Sequence, residues 1–152
     1  MNKFSIKKEA ITSFEIECNF GSIYIDTTDI ELPSKVESMY DTAKKGQEKY
    51  DKRQRELKAL KISEDEKDKE TIKSQIEYIN TTYKAIEKLF GEGATDKIFR
   101  VKSITALEMF LDDIAPLLDK FNTISQERLN ERVKASKYEQ VKPLDNDIED
   151  LG

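Results

Sequence analysis

Apolar side chains recur along this chain in two rhythms, and the change of rhythm divides it. Between Thr12 and Thr27 they alternate. Phe14, Ile16 and Cys18 fall on one side, Glu15 and Glu17 on the other, and Ile23-Tyr24-Ile25 repeats the pattern after Asn19-Phe20-Gly21-Ser22. A period of two belongs to a half-buried strand, and turn residues between two such runs predict a β-hairpin over about 12–27. An isolated hairpin is marginal in water, so its apolar face must be covered by the helices, a neighbouring subunit or both.

From Pro33-Ser34 onward the period becomes helical. A first helix is predicted over about 34–61, with a stripe of Val36, Met39/Tyr40, Ala43, Tyr50, Leu57 and Leu60 interrupted at Gly46 and Arg53. Ser63 with Glu66 three residues on forms a capping box, which places a break there and starts a second helix over about 64–90. That helix has the cleaner seam: Ile72, Ile76, Ile79, Tyr83, Ile86 and Phe90 alternate spacings of four and three. Each such side chain, once buried, contributes about 1.5–3 kcal/mol. The short connection makes the two helices antiparallel neighbours. Gly91 and Gly93 stop the second helix, a short helical turn carries Ile98 and Phe99, and Ser103 caps a third long helix over about 104–135. Its seam is Ile104, Leu107, Leu111, Ile114, Leu118 and Phe121, with Pro116 expected to bend it and the pattern thinning to Leu129 and Val133. The predicted fold is mainly α with a small N-terminal β-hairpin (α+β), its antiparallel long helices forming a bundle. A single domain covers 1–137, and 138–152 form a flexible acidic tail.

Composition refines this picture. A chain of 152 residues fits one domain, and a charged share of 38 % beside a hydrophobic share of 37 % suits long helices with one buried face and solvated backs. From Glu139 to the end, five acids (Glu139, Asp145, Asp147, Glu149, Asp150) oppose Lys142, so the tail holds −4 of the total −5 and the body is near neutral. No basic stripe runs along any helix, so nucleic-acid binding lacks its electrostatic footprint. One cysteine cannot make an internal disulfide, and with no signal peptide and no long apolar run the chain reads as soluble and cytosolic, with no membrane partner.

Histidine is absent, which removes the commonest general base and metal ligand. Cys18 lies on the apolar side of a strand, as a small buried hydrophobe does. Adjacent carboxylates such as Asp112-Asp113 and Asp65-Glu66 point about 100° apart on a helix and sit among lysines, as solvated surface. The Asp145–Asp150 segment lacks the glycine and terminal glutamate of an EF-hand loop. Gly91-Glu92-Gly93 follows a helix rather than a strand and has no third glycine, so a helix end explains it better than a phosphate loop. No catalytic residue, cofactor site or metal site is expected. What remains is surface: Tyr24 and Tyr78 lie off the apolar faces by periodicity and are interface candidates. The uncovered hairpin and the two strong seams make a homo-oligomer a reasonable expectation.

The order of a strand pair (Phe14-Glu15-Ile16 and Ile23-Tyr24-Ile25-Asp26), a charged helical stretch, and Ile86-Glu87-Lys88-Leu89-Phe90-Gly91-Glu92-Gly93 with Asp96-Lys97-Ile98-Phe99 carries a resemblance. With Leu107-Glu108-Met109-Phe110 and Ser136-Lys137-Tyr138, it resembles the siphophage tail assembly chaperones encoded in phages and prophages of Gram-positive bacteria. The resemblance implies a non-catalytic factor in the cytoplasm of a bacterial host. Such a factor coats the tape-measure protein, recruits tail-tube protein and leaves before the virion is complete. Under it, Tyr24, Tyr78, Phe90, Gly91, Glu92, Gly93 and Phe99 are the expected protein-binding residues. Two other readings stand beside it: a structural tail component or adaptor that stays in the particle, and a small acidic inhibitor of a host nucleic-acid-binding protein, suggested by the tail.

Overall fold

A computed structural model describes residues 5–8 and 13–145, with side chains over 13–134. Three strands, β1 (Ser5–Lys8), β2 (Ser13–Cys18) and β3 (Gly21–Asp26), precede four helices. These are α1 (Leu32–Ala59), α2 (Glu64–Phe90), the single-turn α3 (Ala94–Ile98) and α4 (Ile104–Asp145). The protein is mainly α with a small antiparallel β element, as the two rhythms predict. The sheet has one strand more than expected, because β1 adds to the outer edge of β2 in the order β1-β2-β3.

The hairpin register pairs Phe14 with Ile25, Ile16 with Ile23 and Cys18 with Gly21 across a two-residue turn. That register puts Ile16, Ile23 and Ile25 into the core and leaves Tyr24 exposed on the opposite face. α4 covers the buried face: the Phe14 and Phe121 rings lie 5.0 Å apart, and Arg128 Nη1 donates to the buried Thr27 Oγ1 at 2.9 Å. The sheet's apolar face is therefore covered by helices of its own chain.

α2 and α4 begin where the capping chemistry places them, and α1 begins at Leu32, two residues before the expected start. Pro33 lies in the first turn of α1. Ser63 Oγ accepts from Glu66 N–H at 3.2 Å at the start of α2, and Ser103 Oγ accepts from Ala106 N–H at 3.1 Å at the start of α4. α1 and α2 form the expected antiparallel pair. Gly46 leaves room between them for the Tyr78 ring, since a Cβ at Gly46 would lie 2.8 Å from Tyr78 Cδ1. Tyr50 stacks on Tyr78 with centroids 6.3 Å apart. Beyond this aromatic pair the two helices continue as an arm whose facing surfaces are polar. Arg53 pairs with Glu70 at 3.0 Å, Gln54 donates to Thr71 at 3.2 Å, and Gln75 donates to the Tyr50 hydroxyl at 3.3 Å. Only Leu57 is a fully buried apolar residue there.

The α4 seam is buried from Leu107 to Phe121, and Phe110 joins it. Tyr40 of α1 donates its hydroxyl to Leu111 O at 3.1 Å, tying α4 alongside α1. Pro116 does not end the helix. It and Asp112, whose carbonyl loses its helical donor, are both solvent-exposed, so water can satisfy that oxygen. α4 runs to Asp145, so residues 138–145 of the expected tail continue the helix; residues 146–152 lie outside the described residues.

Three seam residues are corrected. Ile72 and Ile76 are 55 % and 41 % exposed, because the element facing the lower half of this stripe does not reach the arm. Leu60 is exposed as well, because it stands past the end of α1 as its C-cap, in an extended conformation off the helical stripe.

Candidate protein-binding surface

The corner between α2 and α4 is built by two glycines that need their freedom. Gly91 adopts φ 107°, ψ 161°, and Gly93 adopts φ 85° in the left-handed region. A Cβ at either position would meet nothing within 4 Å, so the requirement is conformational and not steric. Gly91 N–H closes α2 by donating to Glu87 O at 2.7 Å, and Ala94 N–H returns to Gly91 O at 3.2 Å. The buried Thr95 hydroxyl donates to the Glu87 carboxylate and locks α3 against the end of α2.

Aromatic rings fill the inside of the corner. Tyr83 stacks on Phe99 with centroids 5.0 Å apart. Phe110 meets Phe99 edge-on at 5.5 Å and Phe90 at 6.5 Å. The Tyr83 hydroxyl is buried without a hydrogen-bond partner, and burial, then the charge of Asp96, push its pKa up.

The hairpin tip docks on the outside of the same corner. Phe20 N–H donates to Lys97 O at 2.9 Å, and the Arg100 guanidinium sits 5.0 Å above the Phe20 ring. Between tip and corner lies a shallow cleft of about 250 Å³ with Ile98 and Phe99 at its base and Phe20, Val101 and Met109 around it. Phe20 is 45 % exposed and Val101 65 % exposed, so two apolar side chains stand at the cleft in contact with water. Tyr24 is exposed on the outer face of the same hairpin.

The residues expected to bind a partner separate into two groups. Tyr24, Gly91 and Glu92 are exposed and Gly93 is half-buried, all in the hairpin and corner. Tyr78, Phe90 and Phe99 are buried, which corrects their placement on a binding surface. Tyr78 is 4 % exposed in the Gly46 gap, and burial, followed by the nearby Glu108 and Asp51 charges, raises its pKa to about 12. Phe90 and Phe99 are plates of the corner's interior. Sequence reasoning missed Phe20, Arg100 and Val101. The available signal was an apolar residue at a hairpin tip and another between two helices, neither belonging to any stripe.

Cys18 is half-buried, its pKa raised by desolvation to about 11, which keeps the thiol protonated and unreactive. Among the described residues, no cluster of histidine, cysteine and acids could hold a metal ion, and no helix is long and apolar enough to cross a membrane.

No curated protein and no solved structure matches the chain. Residues 19–146, from the hairpin turn through α4 and including the whole corner, match the family of unknown function DUF6673, and the chain belongs to that family.

Proposed function

We propose that this protein is a non-catalytic phage tail assembly chaperone that holds the tape-measure protein and helps recruit tail-tube subunits. The observation that carries the reading is the cleft at the hairpin tip, where Phe20 and Val101 stand exposed beside a rigid corner. An apolar patch set on a well-packed scaffold is the form of a protein-docking site. It adjoins the Leu89–Phe99 stretch that carries the resemblance to tail assembly chaperones, sharing with it Ile98 and Phe99 at the cleft's base. Tyr24 on the outer face of β3 is exposed on the same hairpin and adds an aromatic side chain to the surface a client can touch. Two exposed apolar side chains bury little area, which suits a contact that must be released.

Co-expression with a tape-measure protein from the same genome is the test. The client is expected to be soluble and to co-purify with the wild-type chain, and Phe20→Glu with Val101→Glu is expected to abolish both effects while the helical content is unchanged. A client that stays insoluble and unbound with the wild-type chain refutes the reading.

A further inference from the structure

The apolar cleft at the hairpin tip carries one charge. Of the side chains that line it, only Arg100 is ionised. Its guanidinium sits on the Phe20 ring and, among the described residues, makes no hydrogen bond or ion pair. The stem of the exposed Lys97 crosses the tip at Gly21, where an added Cβ would lie 3.0 Å from Lys97 Cγ. From Lys97 to Lys102 there are three bases and no acid, and the tip from Cys18 to Ser22 holds no charged side chain.

Neighbouring acids do not neutralise this rim. Asp96 bears on the Tyr83 hydroxyl and Glu108 on that of Tyr78, and neither lines the cleft. Glu92 stands at the glycine corner, and Asp113, a turn beyond Met109 on α4, is half-buried and also off the lining. On the outer face of the hairpin, Glu15 accepts from the Ser22 hydroxyl, and Glu17 already has a partner.

We propose that the cleft takes a peptide segment carrying a large apolar side chain and, within four positions of it, a carboxylate, and that Arg100 selects that carboxylate. The inference rests on reading the cleft as the docking site of a client protein, and names the chemistry of the segment that docks. An apolar side chain seated on Ile98 and Phe99 displaces water from one side of the guanidinium. A carboxylate brought there accepts charge-assisted bonds from a planar, two-pronged donor. Phe20 already restrains that donor, so less side-chain freedom is lost on binding. A basic segment would instead meet the like charge of Arg100, with Lys97 and Lys102 on the same short stretch, and is rejected.

The chain's own acids outside the described side chains do not reach the cleft. Residues 1–4 carry Lys3 and no acid, and Glu9 follows Lys8, which pairs with Phe14 at the end of the sheet away from the tip. Glu139 and Asp145 lie 30 and 36 residues beyond Met109 on α4, at least about 45 Å along the axis at 1.5 Å per residue. The five residues from Asp145 to Asp150 span at most about 18 Å. The occupant comes from a separate chain, which under the reading above is the client.

The test is selection of peptides from a displayed library of random sequences on the full-length chain, followed by affinity measurement on the selected peptides. Wild type is expected to enrich Asp or Glu within four positions of Leu, Met or Phe, with binding that weakens as salt is added. Arg100→Gln is expected to bind these peptides about fivefold more weakly and to lose the acidic preference. Arg100→Glu is expected to exchange it for Lys or Arg, and Phe20→Glu with Val101→Glu to select nothing, all with unchanged circular dichroism. Enrichment of apolar peptides without acids overturns the proposal. So does failure to enrich any peptide, or an Arg100→Glu variant with the wild-type preference. Co-expression separates the two readings. A client that does not co-purify while the peptide preference stands refutes the chaperone alone, and one that co-purifies equally well with Arg100→Glu refutes the role of Arg100 alone.

Discussion

Gly46 and Tyr78 fit as gap and plug: the ring lies where a Cβ on the glycine would come within 2.8 Å, and it closes the packed body against the polar arm. A glycine in a helix interior costs about 1 kcal/mol relative to alanine. Here the loss is offset by burial of an aromatic side chain.

That relationship reverses the usual sign of a helix substitution. Gly46→Ala is expected to destabilise the protein by about 1–2 kcal/mol despite its better helix propensity, through overpacking. In a Tyr78→Ala background, itself destabilised by about 3–5 kcal/mol, the same change is expected to stabilise by about 1 kcal/mol. Urea denaturation of the four proteins closes the cycle. Additive effects would show that the ring does not occupy the gap.

The two corner glycines are expected to respond differently to one series. Alanine at either position meets no atom but must adopt a positive φ, at a cost of about 1–2 kcal/mol. Asparagine tolerates the left-handed region, so Gly93→Asn should recover part of the loss. Gly91, at φ 107° and ψ 161°, occupies a region almost restricted to glycine, and Gly91→Asn should not recover it. Equal rescue at both sites would contradict the described backbone.

Stability is expected to fall at alkaline pH. Burial raises the Tyr40 hydroxyl to about 12, with the Asp119 and Asp112 charges adding to it, and burial raises Tyr78 to about 12 as well, against an ordinary value near 10. Between these values the unfolded chain releases phenolic protons that the folded chain retains, so the folded state loses ground as pH rises. The contribution is fully present below about pH 10 and gone above about 12. Thermal melts across this range should show the decline, and Tyr40→Phe with Tyr78→Phe should flatten it. An undiminished slope in the double variant would place its origin elsewhere.

Cys18 offers a reporter of opening. With its pKa near 11 in place of 9.0, the thiolate fraction at mildly alkaline pH is about 100-fold below that of a free thiol. A thiol-reactive dye should label the native protein slowly and the denatured protein at the ordinary rate. Fast labelling of the native state would mean that the hairpin does not hold Cys18 against the core.

The helices and their caps were legible because they rest on local chemistry: Ser63, Ser103, Pro33 and the paired glycines each act within one turn of their own position. The burial of α2 was legible only in part. Periodicity identifies which side of a helix is apolar, and so placed Ile79, Tyr83, Ile86 and Phe90 correctly. It does not say how far the opposing element extends, and so placed Ile72 and Ile76 in a core that stops short of them. Tyr78 was misplaced for a related reason. α2 packs α1 on one side and the α3–α4 region on another, so its buried surface is wider than one seam, and the vacancy at Gly46 is invisible from α2's own sequence. Of the candidate site, the glycine corner could be read directly. The cleft could not, since it joins Phe20 to Val101 across 81 positions and exists only after the hairpin has docked.

The bond from Phe20 N–H to Lys97 O carries a consequence for the order in which the molecule assembles. The strands leave the ribosome first, yet the surfaces that hold them, Lys97 for the tip and Phe121 for the inner face, are synthesised 77 and 107 residues later than Phe20 and Phe14. The α1–α2 pair needs only its own short turn and can form in the meantime. Until those helices have been made, the nascent hairpin has neither the partner of its tip nor the cover of its inner face.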